Sequence, residues 1–148
     1  MADMADMANA GFHTDGILEA SLYARDLDRA EHFYGEVLGL EMVTKSRNRH
    51  VFFRCGQAMV LIFNPDATLN THGDPAMPVP AHGATGPGHL CFRVASTDFP
   101  AVLERLAGHG IAIEADFHWP NGARSIYFRD PAGNSLECAE PRLWGFQN

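Results

Sequence analysis

Glu19, His89 and Glu137, three side chains that can hold a cation, fall at related places in strand-like runs of this chain. Each alone has an ordinary reading. A glutamate on a strand usually faces water, and a histidine next to Gly88 at a strand start can cap a turn. Confined together they would need partners, because an unpaired buried carboxylate costs several kcal/mol; a divalent cation would supply one. Cys91 and Cys138 read as buried small apolar residues rather than nucleophiles, since no histidine neighbour is implied for either. His82, in VPAHGATGPGH, could cover the mouth of such a site or simply belong to its loop. Arg47, Arg49, His50, Trp119 and Arg124 are candidate rim residues whose strand parity the sequence leaves open.

Parity puts the three on one face. In residues 17–24, ILEASLYA, the set Leu18, Ala20, Leu22 and Ala24 is apolar and expected beneath the helices. That turns Glu19, Ser21 and Tyr23 the other way. In HLCFRV, Leu90, Phe92 and Val94 point inward and leave His89, Cys91 and Arg93 together. In NSLECA, Leu136 and Cys138 oppose Ser135, Glu137 and Ala139. In AMVLIF the equivalent position is Leu61, so a fourth corner carries no ligand.

The elements that must position these residues are written twice. After the first strand, residues 27–38, LDRAEHFYGEVL, have the apolar spacing of a helix, with Asp26 as N-cap and Gly39 as stop. Strands are predicted over 41–45, 50–54 and 58–63, with a tight turn at 55–57. The second half repeats the order: strand 89–95, helix 99–107, then strands 111–117, 125–129 and 134–139. Glu19 matches His89 and Phe33 matches Leu103 at a shift of 70, and HVFFRCGQAMVLIFNP runs against SIYFRDPAGNSLECAEP. The duplication implies an α+β fold of two tandem βαβββ modules curled into a half-barrel. Asp130-Pro131-Ala132-Gly133-Asn134 is the turn that sends the last strand, with Glu137, back beside its partner. The organisation expected is a frayed tail (1–15), then one domain (16–148): module 1 over 16–65, a connection over 66–88, and module 2 over 89–141.

Bulk properties narrow the partners. The net charge is −7 with no Lys/Arg-rich run, which argues against nucleic acid or an anionic bilayer and for a small-molecule substrate. The longest apolar run is far short of the roughly 20 residues a membrane helix needs. Three cysteines without a C-x-x-C predict reduced thiols in a cytoplasm.

LYARDLDRAEHFYGEVLGLE, GPGHLCFRV and RSIYFRDPAGNSLECAEP together resemble the vicinal oxygen chelate superfamily, which groups glyoxalase I, bleomycin and fosfomycin resistance proteins and extradiol dioxygenases. The resemblance implies metal ligands on the first and last strands of each module, which here are Glu19, Leu61, His89 and Glu137. Leu61 departs from glyoxalase I, which has glutamate there, and Glu19 departs from the dioxygenases, which have histidine. A Glu/His/Glu set suits one divalent metal ion, Mn, Fe, Ni, Zn or Mg, and leaves open positions. The implied activity is a metal-dependent, glyoxalase-like (lyase or isomerase) reaction on a small substrate that chelates through adjacent oxygens, with Glu137 or Glu19 as general base. Two alternatives follow from the same resemblance: an extradiol-type dioxygenase, and a non-catalytic binder of the antibiotic-resistance type. Phe52, Leu61, Arg93, Trp119, Arg124 and Tyr127 are the expected pocket, and a homodimer the expected assembly.

Overall fold

The computed structural model describes residues 11–70 and 73–147. It contains two four-stranded sheets. In the first, β1 (Glu19–Tyr23) is followed by α1 (Leu27–His32), β2 (Glu41–Ser46), β3 (His50–Cys55) and β4 (Ala58–Phe63). A short α2 (Pro65–Thr68) opens the connecting segment. The second sheet repeats the plan with β5 (His89–Arg93), α3 (Phe99–Gly108), β6 (Ala115–His118), β7 (Arg124–Arg129) and β8 (Ser135–Ala139). Strand order is β1-β4-β3-β2 and β5-β8-β7-β6, so the first strand of each module lies at a sheet edge and pairs in parallel with the last. This is the α+β duplication read from the sequence. The expected tail lies largely outside the described residues, and no described helix is long and apolar enough to cross a membrane.

Local chemistry sets the boundaries. Asp26 Oδ1 accepts from the Arg29 backbone N–H at 3.1 Å, the N-cap expected at this position. The helix then widens into a π turn over Phe33–Val37, where the Leu38 N–H reaches the Phe33 carbonyl at 2.9 Å. The Arg105 guanidinium caps the freed carbonyls of Val37 and Glu36 at 2.7 and 2.9 Å, joining α3 to the end of that turn. Gly39, at φ +75°, ends it.

One apolar core serves both modules: Leu22, Phe33, Tyr34, Val51, Phe53 and Ile62 from the first, Phe99, Leu106, Ile126, Phe128 and Leu136 from the second. The even set of β1 enters it only from Leu22 onward. Leu18 is 75% exposed, contrary to the parity expectation, because it precedes the ladder and lies outside the core cluster. Cys138 is buried as expected, but Cys91 is exposed, since it belongs to the opposite face of β5.

A buried polar knot fastens the modules. Asp130 Oδ1 accepts from the Ala132 and Asn134 backbone N–H groups at 3.0 and 2.9 Å, closing the turn predicted at this motif. Its other oxygen accepts from the Tyr34 hydroxyl at 2.7 Å and from Asn134 Nδ2 at 2.9 Å. Asn134 also donates to the Tyr23 carbonyl at 3.1 Å and accepts from the Gly88 N–H at 2.8 Å. The π turn after α1, the end of β1 and the start of β5 are thereby held to one turn.

Burial first, and the Asp130 charge second, push the Tyr34 phenol far above its ordinary value. Its folded pKa is raised, so its contribution to stability is complete below the unfolded value near 10 and is lost as pH climbs beyond it. Urea unfolding followed from pH 8 to 11 should show stability falling above about pH 10, with a shallower fall in Tyr34→Phe; equal slopes would refute the assignment. At neutral pH, Tyr34→Phe should cost about 1–3 kcal/mol, because Asp130 loses a buried donor.

Candidate metal centre

The parallel pairing of β5 with β8 sets His89 opposite Ser135 and Cys91 opposite Glu137. The His89 side chain is half exposed, whereas Glu137 is only 5% exposed. Nε2 of His89 lies 3.3 Å from Oε1 of Glu137. Nδ1 of the same ring lies 2.9 Å from the Ser135 carbonyl oxygen. A carbonyl only accepts, so Nδ1 carries the hydrogen, and Nε2 meets the carboxylate oxygen either as an N–H donor or with its lone pair. A proton or a cation must lie between the two atoms at that separation, since a lone pair facing a carboxylate would be repelled. A ring whose second nitrogen is tied to a backbone carbonyl is also the usual posture of a metal-ligating histidine.

The other carboxylate oxygen is held from behind. Ser125 Oγ donates to Glu137 Oε2 at 2.6 Å and itself accepts the Trp119 indole N–H at 2.8 Å. Tyr127 flanks the pair: its ring is parallel to that of His89, centroids 6.2 Å apart. Partial burial, then its hydrogen bond to Glu137, push its phenol up to about 12. Tyr127 is therefore a proton donor, not a phenolate, at neutral pH. Cys138, behind the strand, is also pushed up to about 12, by burial and then by the Glu137 charge, and is no nucleophile.

His89 and Glu137 are thus brought together; Glu19 is not. It is exposed on edge strand β1, and no group of three His, Cys, Asp or Glu residues among those described is close enough to share an ion. The expected pocket residues divide. Trp119 and Tyr127 stand at the pair, while Phe52 and Leu61 lie on the matching face of the first sheet. Arg124 is engaged by Asp116 through two hydrogen bonds of 2.9 and 2.7 Å and lies over the Phe99 ring. Arg93 is tied to the Gln147 carbonyl. Ser125 has no role in the sequence reading, although the parity of Ile126 and Phe128, both inward, would have placed Ser125 and Tyr127 on the face of Glu137. The His82 contact, Nδ1 2.7 Å from the Tyr23 hydroxyl, is made to the first module.

This arrangement can be set beside known proteins. The family model of the Glyoxalase/Bleomycin resistance protein/Dioxygenase superfamily matches residues 16–138. The chain belongs to this superfamily. A crystal structure of a lactoylglutathione lyase from Agrobacterium tumefaciens is 46% identical, with a TM-score of 0.83 over 90% of this chain and 98% of that one. A catechol-2,3-dioxygenase of Bacillus subtilis is 30% identical over 126 residues, but the match spans only 40% of its length. A virulence protein of Salmonella typhimurium, STM3117, is 32% identical over 85% of this chain and 84% of its own. Members of the superfamily include lyases and dioxygenases, generally bind a divalent metal, act on small molecules and often form dimers.

Replacing Ser125 by alanine leaves Glu137 Oε2 and the Trp119 N–H without their partner. Unfolding free energy should fall by about 1–3 kcal/mol and Trp119 emission should shift, as read by urea titration and fluorescence. Unchanged stability and emission would mean the chain from Trp119 to Glu137 does not form.

Proposed function

We propose that this chain is a metal-dependent, glyoxalase-like enzyme whose substrate presents two adjacent oxygens to one divalent cation held by His89, Glu137 and Glu19. The observation that carries this reading is the 3.3 Å approach of His89 Nε2 to Glu137 Oε1. The likeness to a lactoylglutathione lyase at 46% identity supports the lyase or isomerase class over the others. Glu19 reaches the pair from a second copy of the chain. It is exposed on an edge strand, and Ile17 and Leu18 beside it are 77% and 75% exposed, an apolar margin suited to burial in a homodimer.

When bound, the cation supplies Lewis-acid stabilisation of the negative charge that develops on the substrate oxygens. The protein's own groups divide the remaining work. Ser125 and His89 occupy both oxygens of Glu137, which fixes that carboxylate in place. Glu19 makes no side-chain bond to a described residue, so it is the carboxylate free to take a proton from a substrate carbon and return it to the neighbouring one. Tyr127, protonated at neutral pH, can donate to a substrate oxygen.

Elemental analysis of protein purified without chelators should find one transition-metal ion per chain, lost in His89→Ala and Glu137→Gln. Neither parent site is complete in homodimers of Glu19→Gln or His89→Ala, whereas mixed dimers should regain about half the wild-type activity in a hemithioacetal assay. Failure of mixed dimers to exceed the parents would overturn the shared site. Oxygen uptake with catechols in place of hemithioacetal turnover would assign the dioxygenase reaction, and ligand binding without metal would assign the non-catalytic one.

A further inference from the structure

The first sheet carries a second constellation, on the face that bears Glu19. Ladder register sets Tyr23, Phe63 and His50 in one row across β1, β4 and β3, and Ser21, Leu61 and Phe52 in the next. Residues so paired face the same side. Their rings interlock: His50 stacks on Phe52 at 4.0 Å and 13°, and Phe52 meets Phe63 edge to face at 5.2 Å and 74°. His82, brought by the connecting segment, closes one end at 4.6 Å from Phe63, its Nδ1 hydrogen-bonded with the Tyr23 hydroxyl at 2.7 Å. Phe63 and Leu61 form a buried floor, whereas Tyr23, His50, Phe52 and His82 stay half-buried with surface to offer.

One permanent charge borders these rings. The Arg49 guanidinium lies 5.8 Å from the centre of Phe63 and 3.4 Å from His50 Nδ1. Among the described residues it pairs with no carboxylate, unlike Arg25, Arg54, Arg124, Arg129 and Arg142. Burial, then the charge of Arg49, push His50 down, so the row adds no second cation at neutral pH. An apolar face of ring edges and ring planes beside an unpaired guanidinium is complementary to a flat ring with an anionic substituent.

We propose that this face is a subsite for planar aromatic carboxylates, with the ring against Phe52 and Phe63 and the carboxylate on Arg49. The assignment rests on the reading that the sheet faces form the substrate cup, and it narrows the substrate to molecules carrying such a group. Octanoate has the charge without the ring, and 2-naphthalenemethanol the ring without the charge, so each lacks one half of the match.

The test is calorimetric titration of the full-length, chelator-treated protein with 2-naphthoate, octanoate and 2-naphthalenemethanol. Naphthoate should bind at least about tenfold more tightly than either of the other two, the size expected for one charge-assisted bond or one set of ring contacts. Arg49→Gln should remove the advantage over the alcohol, and Phe52→Leu, which keeps apolar volume, the advantage over octanoate. His89→Ala should leave naphthoate binding unchanged while abolishing metal uptake, which separates failure of the metal centre from failure of the subsite. Equal affinity for the three probes, no binding at millimolar concentration, or indifference to Arg49→Gln would overturn the proposal.

Discussion

A carboxylate removed from water must be answered by something, and Glu137 is answered by Ser125, Tyr127 and whatever lies between it and His89. Ser125 satisfies Oε2, while Oε1 faces His89 Nε2 at 3.3 Å. The pair is stable either as an ion pair with a protonated ring or around a cation. The rest of the site follows from that constraint. The parallel β5–β8 ladder fixes the spacing, the Ser135 carbonyl fixes the ring, and the chain from Trp119 through Ser125 fixes the carboxylate.

The duplicated fold is what lets such a pair be completed. Because each module's first strand lies at a sheet edge, Glu19 and His89 both stand on strands with one open side. The knot around Asp130 and Asn134 holds β1 and β5 to a common turn and so sets how the modules meet. The two faces have diverged from one pattern. Glu137 and Tyr127 occupy, in the second sheet, the register places of Leu61 and Phe52 in the first. One sheet became polar and suited to an ion; the other became aromatic.

Much of this was legible in the residue order. Period-two alternation revealed the faces of β1, β5 and β8, and Asp26, Gly39 and the Asp-Pro-Ala-Gly-Asn turn behave as their types require. The exceptions have physical causes. Leu18 departs from the parity expectation because it precedes the ladder, and alternation cannot say where an edge strand begins. Cys91 shares its face with His89, and the general preference of cysteine for burial yielded to strand position. Ser125 takes its face from the parity of Ile126 and Phe128, but its role as donor to Glu137 depends on the pairing of β7 with β8. The separation of Glu19 from His89 and Glu137 is invisible to any pattern, since it depends on how whole sheets are set relative to one another.

The central claim is that His89 Nε2 and Glu137 Oε1 are two ligands of one cation. Anomalous diffraction from crystals grown with Mn(II) tests it most directly. The account requires a peak about 2.0–2.3 Å from both atoms, with a carboxylate of Glu19 from a second copy completing the set. A peak elsewhere, or a vacant pair with His89 directly hydrogen-bonded to Glu137 at saturating Mn(II), would contradict it.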